Sequence, residues 1–354
     1  MGGAQAQLVS AAQISLWARV QNLQIAYIEK AMAERKLVKA SCMRCTLFLV
    51  PSNELAVFSV GAASRARREV AWTLRQGVPE KTIRAALDAT LSVLDQPLTR
   101  KEIAEQVSQK LRIKKRAVRG GGWGRKSEVV AVPVGKLTFP VVDLIHLVTD
   151  KGIVCYGPPR GNEPNFVRAD AWIPKWKNIE KEEAEDALLR RYLKSFGPAT
   201  IHDFAMWTGM TLTEARAIWT RQQSKLVSVE IEGKKVFLLQ EDLDELTRAR
   251  LESPRARLLP YFDSFILGHK EREHLLSKQH HTKVYRPQGW VAPVVLVNGR
   301  IAGVWEHEQK KNQLRVRVTK FQPFARNIQN DIHEETRDLA RFLECANVNV
   351  EFNQ

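Results

Sequence analysis

The sequence predicts an α+β chain in which short helix pairs alternate with antiparallel strand pairs. Three observations carry that prediction. Segments with apolar residues at helical spacing are followed, more than once, by short β-rich segments separated by turn residues. Helix-opening signals recur, as at Thr99 to Glu102 and Thr200 to Asp203. Between two apolar runs stands Asn298-Gly299, a strong two-residue hairpin signal. With 354 residues, 44% hydrophobic and 27% charged, the chain can bury substantial cores in two or three modules, and disorder is not the expectation.

The chain opens on Gly3-Ala4-Gln5-Ala6-Gln7. Ser10 is the expected N-cap of a helix running to Val20 and burying Ile14, Leu16 and Trp17, and a second helix passes through Ile25, Ile28 and Met32. Leu37 to Lys39 and Thr46 to Val50 read as strands, before Pro51-Ser52-Asn53-Glu54 starts another helix. Helix, helix, strand pair is the order of a winged helix-turn-helix, and the first such module is placed at residues 1–95. Its later part, Ala62 to Val93, reads as two helices broken at Gly77-Val78-Pro79. The capping box at Thr99 opens a helix through Ile103, Val107 and Leu111 and a second module, 96–178. There a helix from Asp143 leads into a strand near Val154, a tight turn from Cys155 to Asn162, and a returning strand at Phe166 to Arg168. The acidic patch Glu180 to Asp186 marks the next boundary. Helices through Leu188 to Leu193, Phe204 to Gly209 and Ala215 to Trp219, then strands Leu226 to Ile231 and Lys235 to Leu239, make a third module, 179–250. Its would-be recognition helix carries Arg216 and Arg221 among apolar residues, so a structural role is expected of it. The remainder, 251–354, holds strands at Val294 to Val297, Ile301 to Glu306 and Leu314 to Val318, and a closing helix at Ile332 to Cys345.

A formal charge of +16 and a pI near 9.8 imply a polyanionic partner, because each phosphate met by Lys or Arg releases condensed counterions. The positive charge is spread over several segments and not packed on one amphipathic helix, which favours nucleic acid over a membrane surface. No apolar run reaches the roughly 18 residues that span a bilayer, and no signal-type segment opens the chain, so an intracellular, cytoplasmic protein on the nucleoid is expected. Four cysteines do not make a disulfide scaffold, and the lone Cys42-x-x-Cys45 lies far from Cys155 and Cys345 in sequence, so small core residues are the plainer reading.

Several basic clusters are candidate phosphate contacts. Lys114, Lys115 and Arg116 lead into the glycine-rich stretch Gly120 to Lys126, where Arg125 and Lys126 add two more cations. Such a loop can lay backbone amides and cations along phosphates, or it is a solvated linker; both readings stand. It lacks the Gly-Lys-Ser/Thr of a P-loop. Arg160 sits at the tip of the second module's turn, and Arg300 and the pair Lys310-Lys311 sit at hairpin tips in the last segment.

The opening motif carries the chemistry. Two glutamines separated by one small residue lie on the same side of an extended backbone, whereas on a helix they diverge by about 200°. Two parallel amide carbonyls can accept the hydrogens of one water, but an amide is no strong base. The chemistry is therefore limited to a leaving group that is already activated, as an N7-alkylated purine is: it departs neutral from a cationic state. Taken alone, two glutamines near a terminus are as well read as solvated.

The text around them decides between these. Gly-Ala-Gln-Ala-Gln followed by Ser-Ala-Ala-Gln-Ile-Ser-Leu-Trp-Ala-Arg-Val resembles the opening of the AlkZ-like winged-helix DNA glycosylases. In that family a Gln-hydrophobic-Gln motif is the catalytic element, which falls here on Gln5 and Gln7. The relatives called YcaQ or AlkX carry Asp at the last motif position, so Gln7 puts this chain nearer the AlkZ branch. The segment Leu37 to Pro51 is similar to the family's Arg-Gly-Thr-Leu-His strand, keeping Arg44 as a DNA contact and Thr46, but with Cys45 in place of Gly and Phe48 in place of His. Leu258 to Asp263, with Gly268, His269 and Arg272, resembles a family block that opens onto a small β-barrel. The resemblance thus implies three winged-helix modules and a C-terminal barrel, C-shaped around a basic channel, with a barrel hairpin facing the glutamines across the DNA. His280, His281 and Lys283 would line that groove or stand as solvated loop residues. Family members carry about one further helix, of roughly 20 to 30 residues, ahead of the motif; against that pattern Gln5 and Gln7 are expected to be more weakly anchored. The implied activity is that of a monofunctional DNA glycosylase, working as a monomer on double-stranded DNA with alkylated or crosslinked guanine. No lysine nucleophile is evident, and neither metal nor organic cofactor is expected. The competing reading, a winged-helix transcription regulator or other non-catalytic DNA binder, would need a polar base-reading helix.

Overall fold

The computed structural model describes residues 1–120, 127–148, 153–161, 163–250 and 255–353. The chain forms two compact units: one of Met1–Lys30, Arg190–Trp207 and Gln222–Gln354, the other of Ala31–Leu189 and Thr208–Arg221.

In the second of these, the expected strand pair Leu37–Ser41 and Leu47–Pro51 forms in antiparallel register, with Ala40 opposite Phe48. The sheet continues through Val154–Tyr156 and Asn165–Arg168 to the short strand Leu98–Thr99, so strands far apart in sequence share one sheet through the pair Ala40 and Cys155. Both of those residues are fully buried. Helices Ser64–Arg75 and Glu80–Ser92 are separated where Gly77-Val78-Pro79 predicted, and Val78, Ile83, Leu87, Leu94, Ile103, Val107, Leu144 and Phe166 fill one core. The capping box is present: Thr99 Oγ1 accepts from the Glu102 amide at 3.3 Å, and the Glu102 carboxylate accepts from the Thr99 amide at 2.7 Å. One element departs from expectation. The basic run is not all loop, because Arg116–Gly120 is a strand paired with Ser127–Val134, which pairs in turn with Leu137–Pro140. Only Val118 in this stretch favours a strand by residue type, a signal too weak to stand out from the surrounding charge.

In the other unit, helix Val9–Trp17 buries Ala11, Ala12, Ile14, Ser15 and Trp17. Its N-cap position is taken by Leu8 and not by Ser10, and no side chain caps it. Helices Lys181–Phe196 and Ile201–Thr208 contribute Tyr192, Phe196, Phe204 and Trp207 to one aromatic cluster, with ring centroids 5.2 to 5.7 Å apart. At the C-terminal end five strands run in the order Ala256–Leu259, Val294–Val297, Arg300–Lys310, Gln313–Lys320, Asn347–Asn353. The turn Asn298-Gly299 has positive φ at both residues, 51° and 79°, as a type I′ hairpin requires.

The expected barrel is corrected here, because this sheet is open. The last strand is parallel to its neighbour, which requires a crossover, and helix Arg326–Phe342 supplies it. That helix also occupies the edge a barrel would close. The amides of Ala256 and Leu258 on the outer strand donate to Asp331 Oδ2 at 3.0 Å and Glu335 Oε2 at 3.3 Å, and Arg257 pairs with Glu335 at 2.5 Å. With its outward amides taken by carboxylates, the edge strand has no ladder to offer.

Candidate active site

Gln5 lies in a short extended lead-in, and Gln7 in the bend that follows it. Ala4–Gln5 is a two-residue strand, Gln7 and Leu8 form a bend, and the helix starts at Val9. Burial follows from small residues. Ala4 and Ala6 are 1% and 0% exposed, and Gly3 has a φ of 84°. Gly2 is packed so closely that an added Cβ would lie 2.8 Å from Trp207 and 2.9 Å from Phe196. Gln5 is itself buried and Gln7 half-buried. The Oε1 atom of Gln7 is buried and accepts no hydrogen bond from any described group. Buried amide carbonyls without a partner are uncommon, because leaving one unmet costs stability.

Several side chains anchor the lead-in and its helix. The carbonyl of Gly3 accepts from Ser264 Oγ at 2.7 Å. Following the helix, Ser15 Oγ donates to Asp263 Oδ2 at 2.6 Å, and Arg19 reaches the same carboxylate with two nitrogens, at 2.6 and 2.9 Å. Asp263 is 1% exposed. Trp17 donates to Asp338 at 3.1 Å and lies against Phe342, fixing the helix to the C-terminal one. None of Ser15, Arg19, Asp263 and Ser264 was singled out by chemistry in the sequence. The signal was available: Asp263 stands in the run Tyr261-Phe262-Asp263-Ser264-Phe265-Ile266, and an acid embedded in apolar residues needs a buried cation.

Of the basic candidates, five belong with the C-terminal sheet's unit. His280 stacks on Phe321 at 4.2 Å and 17°, and His281 lies 4.8 Å from Tyr285. Arg300 is exposed on the rim of a cleft of about 950 Å³, also lined by Phe265, His269, Lys270 and His274. Lys310 pairs with Glu308 at 2.8 Å, and Lys311 is exposed at the hairpin tip with a φ of 51°. In the other unit, Lys114, Lys115 and Arg116 are exposed, Lys115 pairing with Glu105 across a hollow of about 480 Å³. Arg160 is committed to Glu102 Oε1 at 2.7 Å and the Pro97 carbonyl at 2.8 Å. Arg44 sits on a turn with a φ of 56°, its guanidinium 6.0 Å over the Phe48 ring. Phe48, where the family pattern has His, is 1% exposed and belongs to the core. Arg125 and Lys126 lie outside the described residues. Arg221, on helix Leu212–Arg221, is tied to Asp186 and Glu185.

Burial pushes the Cys42 and Cys155 thiols up to about 12 and Cys45 up to about 11, so all three are neutral thiols near pH 7. No helix among the described residues is long and apolar enough to cross a membrane.

Known proteins resemble the chain over most of its length. The profile of the DNA glycosylase AlkZ-like family matches residues 1–342. The interstrand DNA cross-link repair glycosylase of Streptomyces sahachiroi is 29% identical over 313 residues, which cover 86% of this chain and 79% of that protein. The solved structure of the Streptomyces sahachiroi DNA glycosylase AlkZ superposes with a TM-score of 0.80 at 26% identity, over 99% of this chain and 91% of that one.

Proposed function

Because the chain belongs to the AlkZ-like family and is a DNA glycosylase, we propose that it hydrolyses the N-glycosidic bond of N7-alkylated purines in duplex DNA. Gln5 and Gln7 position the water. The relative from Streptomyces is named for interstrand cross-link repair, and guanines crosslinked through N7 belong to the same substrate class here.

The chemistry follows from what two amides can do. An N7-alkylguanine carries a positive charge, so the bond from C1′ to N9 breaks with its electrons moving onto the base, which leaves neutral. The sugar becomes oxocarbenium-like, and carbonyl dipoles aimed at it stabilise the positive charge as it develops. The same carbonyls accept the hydrogens of a water and direct its oxygen lone pair at C1′. The water's surplus proton passes to solvent, leaving an abasic site and the free base. With no amine nucleophile at the motif, the reaction stops there, as in a monofunctional enzyme. The observation that carries this reading is the buried Oε1 of Gln7, which has no hydrogen-bond partner among the described residues. Leaving such an acceptor unmet costs about 1–3 kcal/mol, a cost that is removed when water or substrate supplies the hydrogen.

DNA is held through phosphate contacts from Arg44, Lys114, Lys115, Arg116, Arg160, His280, His281, Arg300, Lys310 and Lys311, which position the duplex without reading its sequence. The test is release of N7-methylguanine from duplex DNA, followed as strand cleavage at the resulting abasic sites, for wild type, Gln5→Ala and Gln7→Ala. Each variant should be slower by about a hundredfold, the usual scale for removing one preorganised dipole from a transition state. Release at the wild-type rate by either variant rules out the assignment of that glutamine.

A further inference from the structure

Two consecutive residues of one loop hold the glutamine motif from both sides. Ahead of the glutamines, Ser264 Oγ donates to the Gly3 carbonyl at 2.7 Å, and both groups are buried. Behind them, the Asp263 carboxylate takes Ser15, in the last turn of the helix that begins two residues after Gln7, and Arg19, two residues past that helix's end. We infer that Asp263 and Ser264 are positioning residues for base excision, a clasp that fixes the backbone on either side of Gln5 and Gln7 so that their carbonyls keep a set direction. This inference rests on the reading that the glutamines carry the chemistry.

The carboxylate is saturated. Its Oδ2 accepts from Ser15 Oγ at 2.6 Å and Arg19 Nη1 at 2.9 Å, and its Oδ1 accepts from Arg19 Nη2 at 2.6 Å and the Phe265 amide at 2.9 Å. Arg19 donates further to the Ser15 carbonyl at 2.8 Å. A forked guanidinium–carboxylate pair has one allowed orientation, so it sets the axial rotation of the helix as well as its distance from the loop. The loop is rigid in turn: Phe262 is 2% exposed, the Phe265 amide is bound to Asp263, and the Gly268 carbonyl accepts from Tyr192 at 2.9 Å.

Stability alone does not account for this arrangement. A buried ion pair is often no more stabilising than apolar residues of the same volume, so its net contribution to folding is small. What it does supply is geometry. Between the two holding points lie the buried strand Ala4–Gln5 and the start of the helix, which no side chain caps, so the bonds at Gly3 and Asp263 bracket the segment that carries the two amides. Orientation of a water on a reacting carbon is sensitive to displacements of about 1 Å, which cost up to about a hundredfold in rate.

The experiment compares wild type, Ser264→Ala, Asp263→Asn and Gln7→Ala in single-turnover release of N7-methylguanine from a fluorescent duplex. Affinity for the same duplex is measured by anisotropy, and folding by thermal melting. Ser264→Ala and Asp263→Asn should slow release about tenfold or more while duplex affinity stays within about twofold, because the cationic residues that hold phosphates are untouched. Asp263→Asn strands a partly buried arginine; if it melts below the assay temperature, Ser264→Ala decides the matter alone. A wild-type rate for Ser264→Ala, or losses divided equally between rate and affinity, overturns the clasp. A wild-type rate for Gln7→Ala overturns the glutamine reading itself, and the clasp with it, whatever the serine variant does.

Discussion

Gly268→Ala tests how tightly the floor beneath the glutamine lead-in is packed. A Cβ on Gly268 would stand 2.5 Å from Phe196 Cδ1, with two further ring carbons at 2.9 and 3.1 Å. Carbon atoms prefer about 3.5–4.0 Å, so the ring must move by roughly 1 Å. It has little room: Phe196 is 7% exposed, and Tyr192 and Trp207 lie 5.5 and 5.7 Å away between ring centres. Gly2 lies against another edge of the same ring, where its own Cβ would be 2.9 Å from Phe196 Cε2. The backbone at Gly268 is ordinary, with a φ of −70°, so the penalty is steric and not conformational. Overpacking of this kind costs about 1–3 kcal/mol. Restricting the unfolded chain by replacing Gly with Ala returns about 0.4–1 kcal/mol, leaving a net loss of about 1–2 kcal/mol. With a urea slope of about 1–3 kcal/mol/M, the midpoint should fall by about 0.5–1 M at unchanged slope. Tryptophan fluorescence reads the transition, since Trp207 is in the cluster. An equal or higher midpoint would show that the ring yields freely and that the lead-in is not held from below.

Two further perturbations test other parts of the structure. Thr99→Ala should cost about 1 kcal/mol at neutral pH by removing the N-cap hydrogen bond. The Thr99 amide and hydroxyl, and then Arg160, hold the Glu102 carboxyl below its ordinary range. Its contribution is therefore present above the unfolded value and lost as pH falls through the lower folded one. The gap in denaturation midpoint between variant and wild type should narrow below about pH 4. For DNA binding, Lys114→Ala and Lys311→Ala should each lower the slope of log affinity against log salt by about 0.9, the release expected for one phosphate contact. Arg160→Ala should lower it less, because its guanidinium is already engaged by Glu102 and Pro97. An Arg160 variant that matches the lysine variants in an anisotropy titration against KCl would show that the ion pair opens on the duplex.

Much of this was legible because it is local. The hairpin at Asn298-Gly299, the capping box at Thr99 and the helix break at Gly77-Val78-Pro79 each depend on a few neighbouring residues whose backbone preferences are strong, and each is present in the fold. The open C-terminal sheet was not legible, since it depends on Asp331 and Glu335 meeting the amides of Ala256 and Leu258, about 75 residues earlier in the chain. Nothing in the spacing of either segment encodes that meeting. The shared sheet in the other unit hangs similarly on one nonlocal pair, Ala40 and Cys155.

The departures from the family's strand motif separate two kinds of constraint that a sequence pattern merges. Cys45 stands where the family has Gly, and its φ is 53°, a left-handed conformation that glycine takes freely and cysteine does not. A residue with a Cβ is thus held in a left-handed conformation, a strain of order 1–3 kcal/mol that the surrounding turn must hold in place. The turn does so through the Cys42 amide to the Thr46 carbonyl at 2.9 Å, Cys45 to Cys42 at 3.1 Å, and the retained Thr46 hydroxyl to Met43 at 2.9 Å. Phe48 is the opposite case. The position is core, 1% exposed, and phenylalanine fills it without a polar atom, so no histidine chemistry is available there. A fold-level likeness therefore carries the scaffold past both substitutions, while the chemistry has to be argued from the side chains present, as proposed for Gln5 and Gln7.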